Sequence, residues 1–152
     1  MLALMHMETS THRLVLPRDA NHHGTLYAGA LMTLALEAGY ATAFRAVGSM
    51  ANLVLKRVLD LRCYEPVRVG QVVEIRGREV FRARAQLIVA LVGTPLPQRS
   101  SPWLDGLLQF VQIDAAGRPE PLAGEVVEVP EALASPWDQL SKRAKKLLAV
   151  RA

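Results

Sequence analysis

Apolar positions along the chain fall into two kinds of run. From Leu26 to Phe44 nearly every residue is apolar or small, and Glu37 is the only charge. A run of that length with no polar stripe predicts a helix enclosed on most of its circumference. About 18 apolar residues would be enough to span a bilayer, but a central carboxylate and the strands that follow argue for a buried helix. The other runs are shorter, rich in Val, Leu and Ile, and bounded by turn residues. They are Asn52 to Arg62, Gln71 to Phe81, Arg84 to Val92 and Leu107 to Asp114, with Thr11 to Leu16 ahead of the helix. Together they predict five β-strands.

The punctuation is consistent with this division. Pro17 to Asn21 breaks the first strand, while Gly70 and Ala116-Gly117 mark turns. Gly77 predicts a bulge within its strand. Gly93 to Asp105 holds three prolines and reads as a surface loop. Pro130 to Ala152 places Leu133, Leu140, Leu147 and Leu148 among charges, the pattern of an amphipathic helix or two short ones, with Ser135 and Asp138 spaced as an N-terminal cap. The fold class is α+β: an antiparallel sheet wrapped around one long helix. With no repeat and no Gly/Ser linker, residues 1–152 read as a single domain, with a core over 11–130 and a basic tail over 131–152.

Composition narrows the class. The 152 residues are 51% hydrophobic and 21% charged, which excludes a disordered chain. Aromatics are only 5%, so the core is expected to be built of Leu, Val, Ala and Ile. The single cysteine, Cys63, excludes a disulfide framework and a Cys-based zinc site, and reads as a small buried hydrophobe. Met1 to Ser10 lacks the features of a signal peptide, so a cytoplasmic location is expected. The net charge of +4 is local. Lys142, Arg143, Lys145, Lys146 and Arg151 crowd the end, and without them 13 basic residues face 14 acidic ones. A near-neutral body argues against nucleic acid and membrane as partners.

The segment Asp19-Ala20-Asn21-His22-His23-Gly24-Thr25-Leu26-Tyr27-Ala28-Gly29-Ala30-Leu31-Met32, continued by Glu37-Ala38-Gly39, resembles the hotdog-fold acyl-CoA thioesterases, in their broad-specificity, brain-type and bacterial branch. Asn21, Gly24 and Gly29 keep the spacing of that family's helix-opening motif. Cys63 to Val72 matches its aromatic-x-Pro-x-x-x-Gly turn, and Leu108 to Asp114 with Gly117-Arg118-Pro119 its closing strand and hairpin. Two departures stand out. The helix-opening Gly-Gly is Ala28-Gly29 here, and the usual catalytic carboxylate position is Leu36, with Glu37 next to it. Neighbours on a helix point about 100° apart, so Glu37 does not simply replace the missing acid.

The resemblance implies hydrolysis of acyl-CoA to a free acid and coenzyme A. It assigns carbonyl polarisation to the amide at Gly29 and water or substrate orientation to Asn21, and it leaves the general base or nucleophile to Glu37 only through a one-residue shift of helix register, the alternative being a structural Glu37 paired with an arginine. Burial of Glu37 is part of that expectation, with Thr33 or Tyr40 as hydrogen-bond partners. His23 and Gly24 are expected to touch substrate. Arg82, with Arg84 in reserve, is expected to meet the coenzyme A phosphates from a hairpin turn. No metal and no cofactor beyond the substrate's own coenzyme A are expected, because no acidic or Cys ligand is spaced with His22 and His23. The implied assembly is a homodimer through the sheet edge, with hexamers as trimers of dimers. Leu36 leaves one rival open: a protein that binds acyl-CoA without hydrolysing it.

Overall fold

The apolar run after Leu26 forms helix α1, Ala28–Val47, whose inward face is Leu34, Ala35, Ala38, Gly39, Thr42 and Ala43. Small residues on that face bring the helix close to a sheet. A side chain at Gly39 would strike Leu108, and one at Gly77 would strike Thr42. The computed structural model describes residues 8–48, 51–97, 101–123 and 135–149. Its strands are β1 (Glu8–Leu14), β2 (Leu53–Cys63), β3 (Val72–Ala83), β4 (Gln86–Pro95) and β5 (Leu104–Gln112), and a second helix, α2, spans Trp137–Ala149. The strands form one antiparallel sheet in the order β1-β3-β4-β5-β2. This is the hotdog arrangement anticipated from the sequence.

The sheet has a core on each face. Leu34, Ala35, Ile75, Leu87, Val89 and Leu108 belong to the cluster beneath α1. On the opposite face Trp137, Leu140 and Ala144 of α2 pack on Val80, Ile88, Ala90, Val92 and Leu107. Among the described residues no helix is long and apolar enough to cross a membrane.

Several expectations need correction. The helix is covered on one side only, since one sheet can cover only one face. Tyr40 and Phe44 on its other side are 44% and 40% exposed. The predicted loop over Gly93 to Asp105 shrinks, because β4 runs on to Pro95 and β5 begins at Leu104, where Gly93 pairs with Leu104. The β3–β4 turn falls at Arg84-Ala85, later than the sequence pattern placed it. Gly77 is no bulge; it admits the Thr42 side chain, and the register slips instead between Glu79 and Phe81. Pro130 to Leu133 of the predicted tail helix lies outside the described residues, as does the stretch 150–152. The described helix opens with the Leu140 amide bonded to the Pro136 carbonyl.

Candidate functional site

The chain between β1 and α1 closes a tight turn before the helix begins. The Asn21 side-chain oxygen accepts the amides of His23 at 2.9 Å and Thr25 at 3.2 Å, and its amide nitrogen donates to Thr25 Oγ1 at 3.0 Å. Gly24 sits at φ +74°, a left-handed conformation that glycine adopts without a Cβ penalty. His22 and His23 are exposed with ring centroids 3.9 Å apart. Asn21 thus builds the turn and keeps one side-chain N–H uncommitted.

The turn delivers the chain to Tyr27, the N-cap of α1, which makes no side-chain cap bond. The first bond within the helix runs from the Leu31 amide to the Tyr27 carbonyl. The amides of Ala28, Gly29 and Ala30 therefore have no partner within the helix, and the helix dipole adds positive potential at the same place. Any side chain at Gly29 would push against the Tyr27 ring, which lies over this first turn.

Two clefts border α1, and Glu37 lines both. A polar cleft of about 170 Å³ lies between Arg13, Asp19, Tyr27, Ala30, Thr33 and Glu37. An apolar groove of about 450 Å³ follows, lined by Leu36, Glu37, Tyr40, Ala41, Leu55 and Phe110. The expected burial of Glu37 is not found: it is exposed, because its side of the helix points away from the sheet. Nor does Thr33 serve it, since its hydroxyl returns to the Gly29 carbonyl at 3.0 Å. Leu36 is half-buried against the core cluster.

Sequence reasoning gave Arg13 and Asp19 no role, yet both line the polar cleft. Asp19 is buried, accepts the Leu16 amide at 3.1 Å and lies 3.7 Å from Arg13. Only the fold brings these two residues, from β1 and the turn after it, against the first turns of α1. Their identity alone carries no signal.

The arginines assigned to coenzyme A stand elsewhere. Arg82 contacts the Ala46 carbonyl, at the far end of α1 from Gly29. Those positions are seventeen residues apart along the helix, about 25 Å at 1.5 Å per residue. Arg82 is also turned inward, donating to Glu79 at 2.9 Å and to the Ala123 carbonyl at 2.9 Å. Arg84 is exposed at the hairpin turn with φ 55°. The chain therefore gathers Asn21, His23, Gly24 and Gly29 at one end of the helix, with Glu37 two turns along, and keeps Arg82 and Arg84 at the other. Cys63 is exposed and not buried as expected, at the end of edge strand β2; partial desolvation pushes its thiol up and away from nucleophilic thiolate. Among the described residues no three His, Cys, Asp or Glu side chains group as metal ligands.

Sheet order, central helix and uncapped helix start define a hotdog-fold protein. The thioesterase superfamily model matches residues 23–92, the span from the turn through most of β4. Solved structures agree in shape. An acyl-CoA hydrolase from Staphylococcus aureus, in complex with butyryl coenzyme A, coenzyme A and coenzyme A disulfide, superposes with a TM-score of 0.82 at 21% identity, covering 97% of this chain and 87% of that one. A hexameric acyl-CoA thioesterase in its apo form gives 0.81 at 23% identity, over 97% and 92%. An acyl-CoA hydrolase from Bacillus cereus gives 0.75 at 19% identity, over 97% and 85%. No curated protein matches the sequence.

Proposed function

We propose that this protein is an acyl-CoA thioesterase whose site is completed by a second copy of the chain. The observation that carries the reading is the uncapped start of α1 beside a polar cleft, with an apolar groove on the other side of Glu37. Thioester hydrolysis needs those parts: donors for a developing oxyanion, a polar place for water, and room for an acyl chain. Water adds to the carbonyl carbon as a proton passes to Glu37. The C–S bond then breaks as Glu37 returns that proton to the sulfur, and coenzyme A leaves as the thiol while the acid is released. The Gly29 amide receives the oxyanion, and the free N–H of Asn21 orients water or the carbonyl. His23 and Gly24 form the rim.

Helix geometry supports a shared site. Gly29 and Glu37 are eight residues apart, about 12 Å along the axis. That exceeds the roughly 3 Å reach needed for both to serve one carbonyl. Two helices packed antiparallel across a two-fold axis bring the Gly29 end of one to the Glu37 of the other. The apolar surface of Tyr40, Phe44, Val54 and Leu55, each at least 40% exposed, supports edge strand β2 as the seam. The other edge, β1, carries Glu8, Thr9, Ser10, Thr11, His12 and Arg13, with Leu14 its one exposed apolar residue. A coenzyme A phosphate contact falls to Arg84 of another copy, since Arg82 is committed inward.

The second reading, acyl-CoA binding without turnover, is favoured by Leu36. In the Staphylococcus aureus hydrolase an asparagine and an aspartate fifteen positions apart were each replaced by alanine, and fifteen positions after Asn21 stands Leu36.

Subunit complementation tests the proposal. Asn21→Asp keeps the acceptor that builds the turn and loses the free N–H; Glu37→Gln loses the base. Each homodimer is expected to lose most thiol release from a panel of acyl-CoAs. Equal mixing after dissociation is expected to restore about a quarter of wild-type activity, since half the pairs are mixed and each keeps one intact site. Full activity in Glu37→Gln would refute the role of that carboxylate. Tight acyl-CoA binding by the wild type without thiol release would establish the second reading.

A further inference from the structure

The turn that builds the proposed site is held only weakly by the sheet. Its outward backbone bonds go to the segment after β2: the Leu26 amide to the Val67 carbonyl at 2.7 Å, and the Val69 amide to the Gly24 carbonyl at 3.1 Å. Thr25 also bridges Arg68. Whatever positions residues 64–70 therefore positions Asn21 and the start of α1.

That segment has three anchors. Gly70 donates its amide to the Val15 carbonyl, Val67 is buried in the core, and Tyr64 ties down the leading end. The Tyr64 amide bonds the Trp103 carbonyl at 2.8 Å, and its hydroxyl donates to Asp105 at 2.8 Å. Asp105, on β5, is 8% exposed and also accepts Arg143 of α2 at 2.7 Å on Oδ1 and at 3.3 Å on Oδ2, the oxygen that takes the Tyr64 hydroxyl. Arg143 also reaches Asp60 at 3.4 Å, and these are the only ion pairs that α2 makes among the described residues.

We infer that Arg143 is a positioning residue for the site, acting through Asp105 and Tyr64, so that α2, docked on the sheet face opposite α1, fixes the turn that opens α1. Asp105 is the shared acceptor. The planar fork of Arg143 sets the angle of its carboxylate, which determines where the Tyr64 hydroxyl docks. The segment from Tyr64 to Val69 then carries that placement to Leu26 and Gly24. The inference rests on the proposed function for its kinetic readout but not for its structural one.

The test uses the full chain and three variants: Tyr64→Phe, which deletes only the hydroxyl, Arg143→Gln, and Lys145→Gln as an exposed charge control on the same helix. Amide hydrogen exchange is read at Leu26 and Val69, together with kcat and KM on whichever acyl-CoA the wild type turns over. The first two variants are expected to speed exchange at those amides severalfold and to lower kcat by roughly tenfold, as misplaced groups do, with KM within about twofold. The double variant is expected to be no worse than the worse single one, because both act through one carboxylate. Lys145→Gln should leave every readout unchanged. Unchanged exchange at Leu26 and Val69 in both variants, or additive effects in the double variant, would overturn the inference. Exchange that responds in a protein releasing no thiol would uphold the coupling while refuting the proposed function.

Discussion

Glu79 and Arg82 are three residues apart on β3, yet their side chains meet at 2.9 Å on the same face, with 0% and 8% exposure. Strand alternation would put them on opposite faces. The extra residue at Val80, where Glu79 pairs with Val89 and Phe81 with Ile88, turns both inward beneath the end of α1. Arg82, expected on a hairpin turn, is therefore an inward strand residue, and no glycine marks the bulge in the sequence. Removing one partner of a buried pair leaves the other uncompensated. Arg82→Met is expected to cost about 3–5 kcal/mol in urea denaturation, and adding Glu79→Leu to restore most of it. Burial raises the Glu79 pKa despite the opposing Arg82 hydrogen bond and charge. The folded state thus holds that proton more tightly than the unfolded chain. Its stabilising contribution is complete below the ordinary glutamate range and is lost as pH rises through the raised value. Glu79→Gln should flatten that part of the stability–pH curve; an unchanged slope would show that the pair carries no such linkage.

At the scale of elements, the sequence was most legible where one signal dominated. The run from Leu26 gave α1 within three residues at each end, since nothing but a helix accommodates so many small apolar residues in series. The strands were legible as Val- and Leu-rich runs, but prolines misplaced one boundary. Pro95 ends β4, paired with Val73, and Trp103 and Leu104 return directly into the core, so both ends of the predicted loop belong to the sheet. The closeness of α1 to the sheet depends on Gly39. Gly39→Ala must displace Leu108, a fully buried side chain, and is expected to cost about 1–3 kcal/mol. Gly24→Ala meets no atom within 4 Å but must hold a left-handed backbone, for about 1–2 kcal/mol. Comparing the two by thermal melts separates crowding from backbone strain; a neutral Gly39→Ala would mean that α1 can lift off the sheet without loss.

Across the whole molecule, the candidate site was legible in part. Asn21, Gly24 and Gly29 converge because they are close in sequence and a single turn gathers them. Arg13 and Asp19 escaped notice because only tertiary packing brings them in, and Glu37 and Cys63 are exposed because the sheet covers neither. The sheet's two edges differ: β1 is polar apart from exposed Leu14 at its end, whereas β2 carries exposed Val54 and Leu55 together. Leu55→Lys is expected to shift the protein towards monomer in sedimentation, while Thr11→Lys on β1 leaves its mass unchanged. A Leu55→Lys protein that sediments like the wild type would place the seam elsewhere.

Under the proposed shared site, the eight-residue step from Gly29 to Glu37 also sets the time course expected of an assay. When a carbonyl draws its donors from one copy and its base from another, the rate follows the concentration of pairs and not of chains. Serial dilution below the association midpoint would then make initial velocity fall with the square of protein concentration, and preincubation at low concentration would introduce a lag on return to high. An enzyme built this way would be nearly silent when scarce.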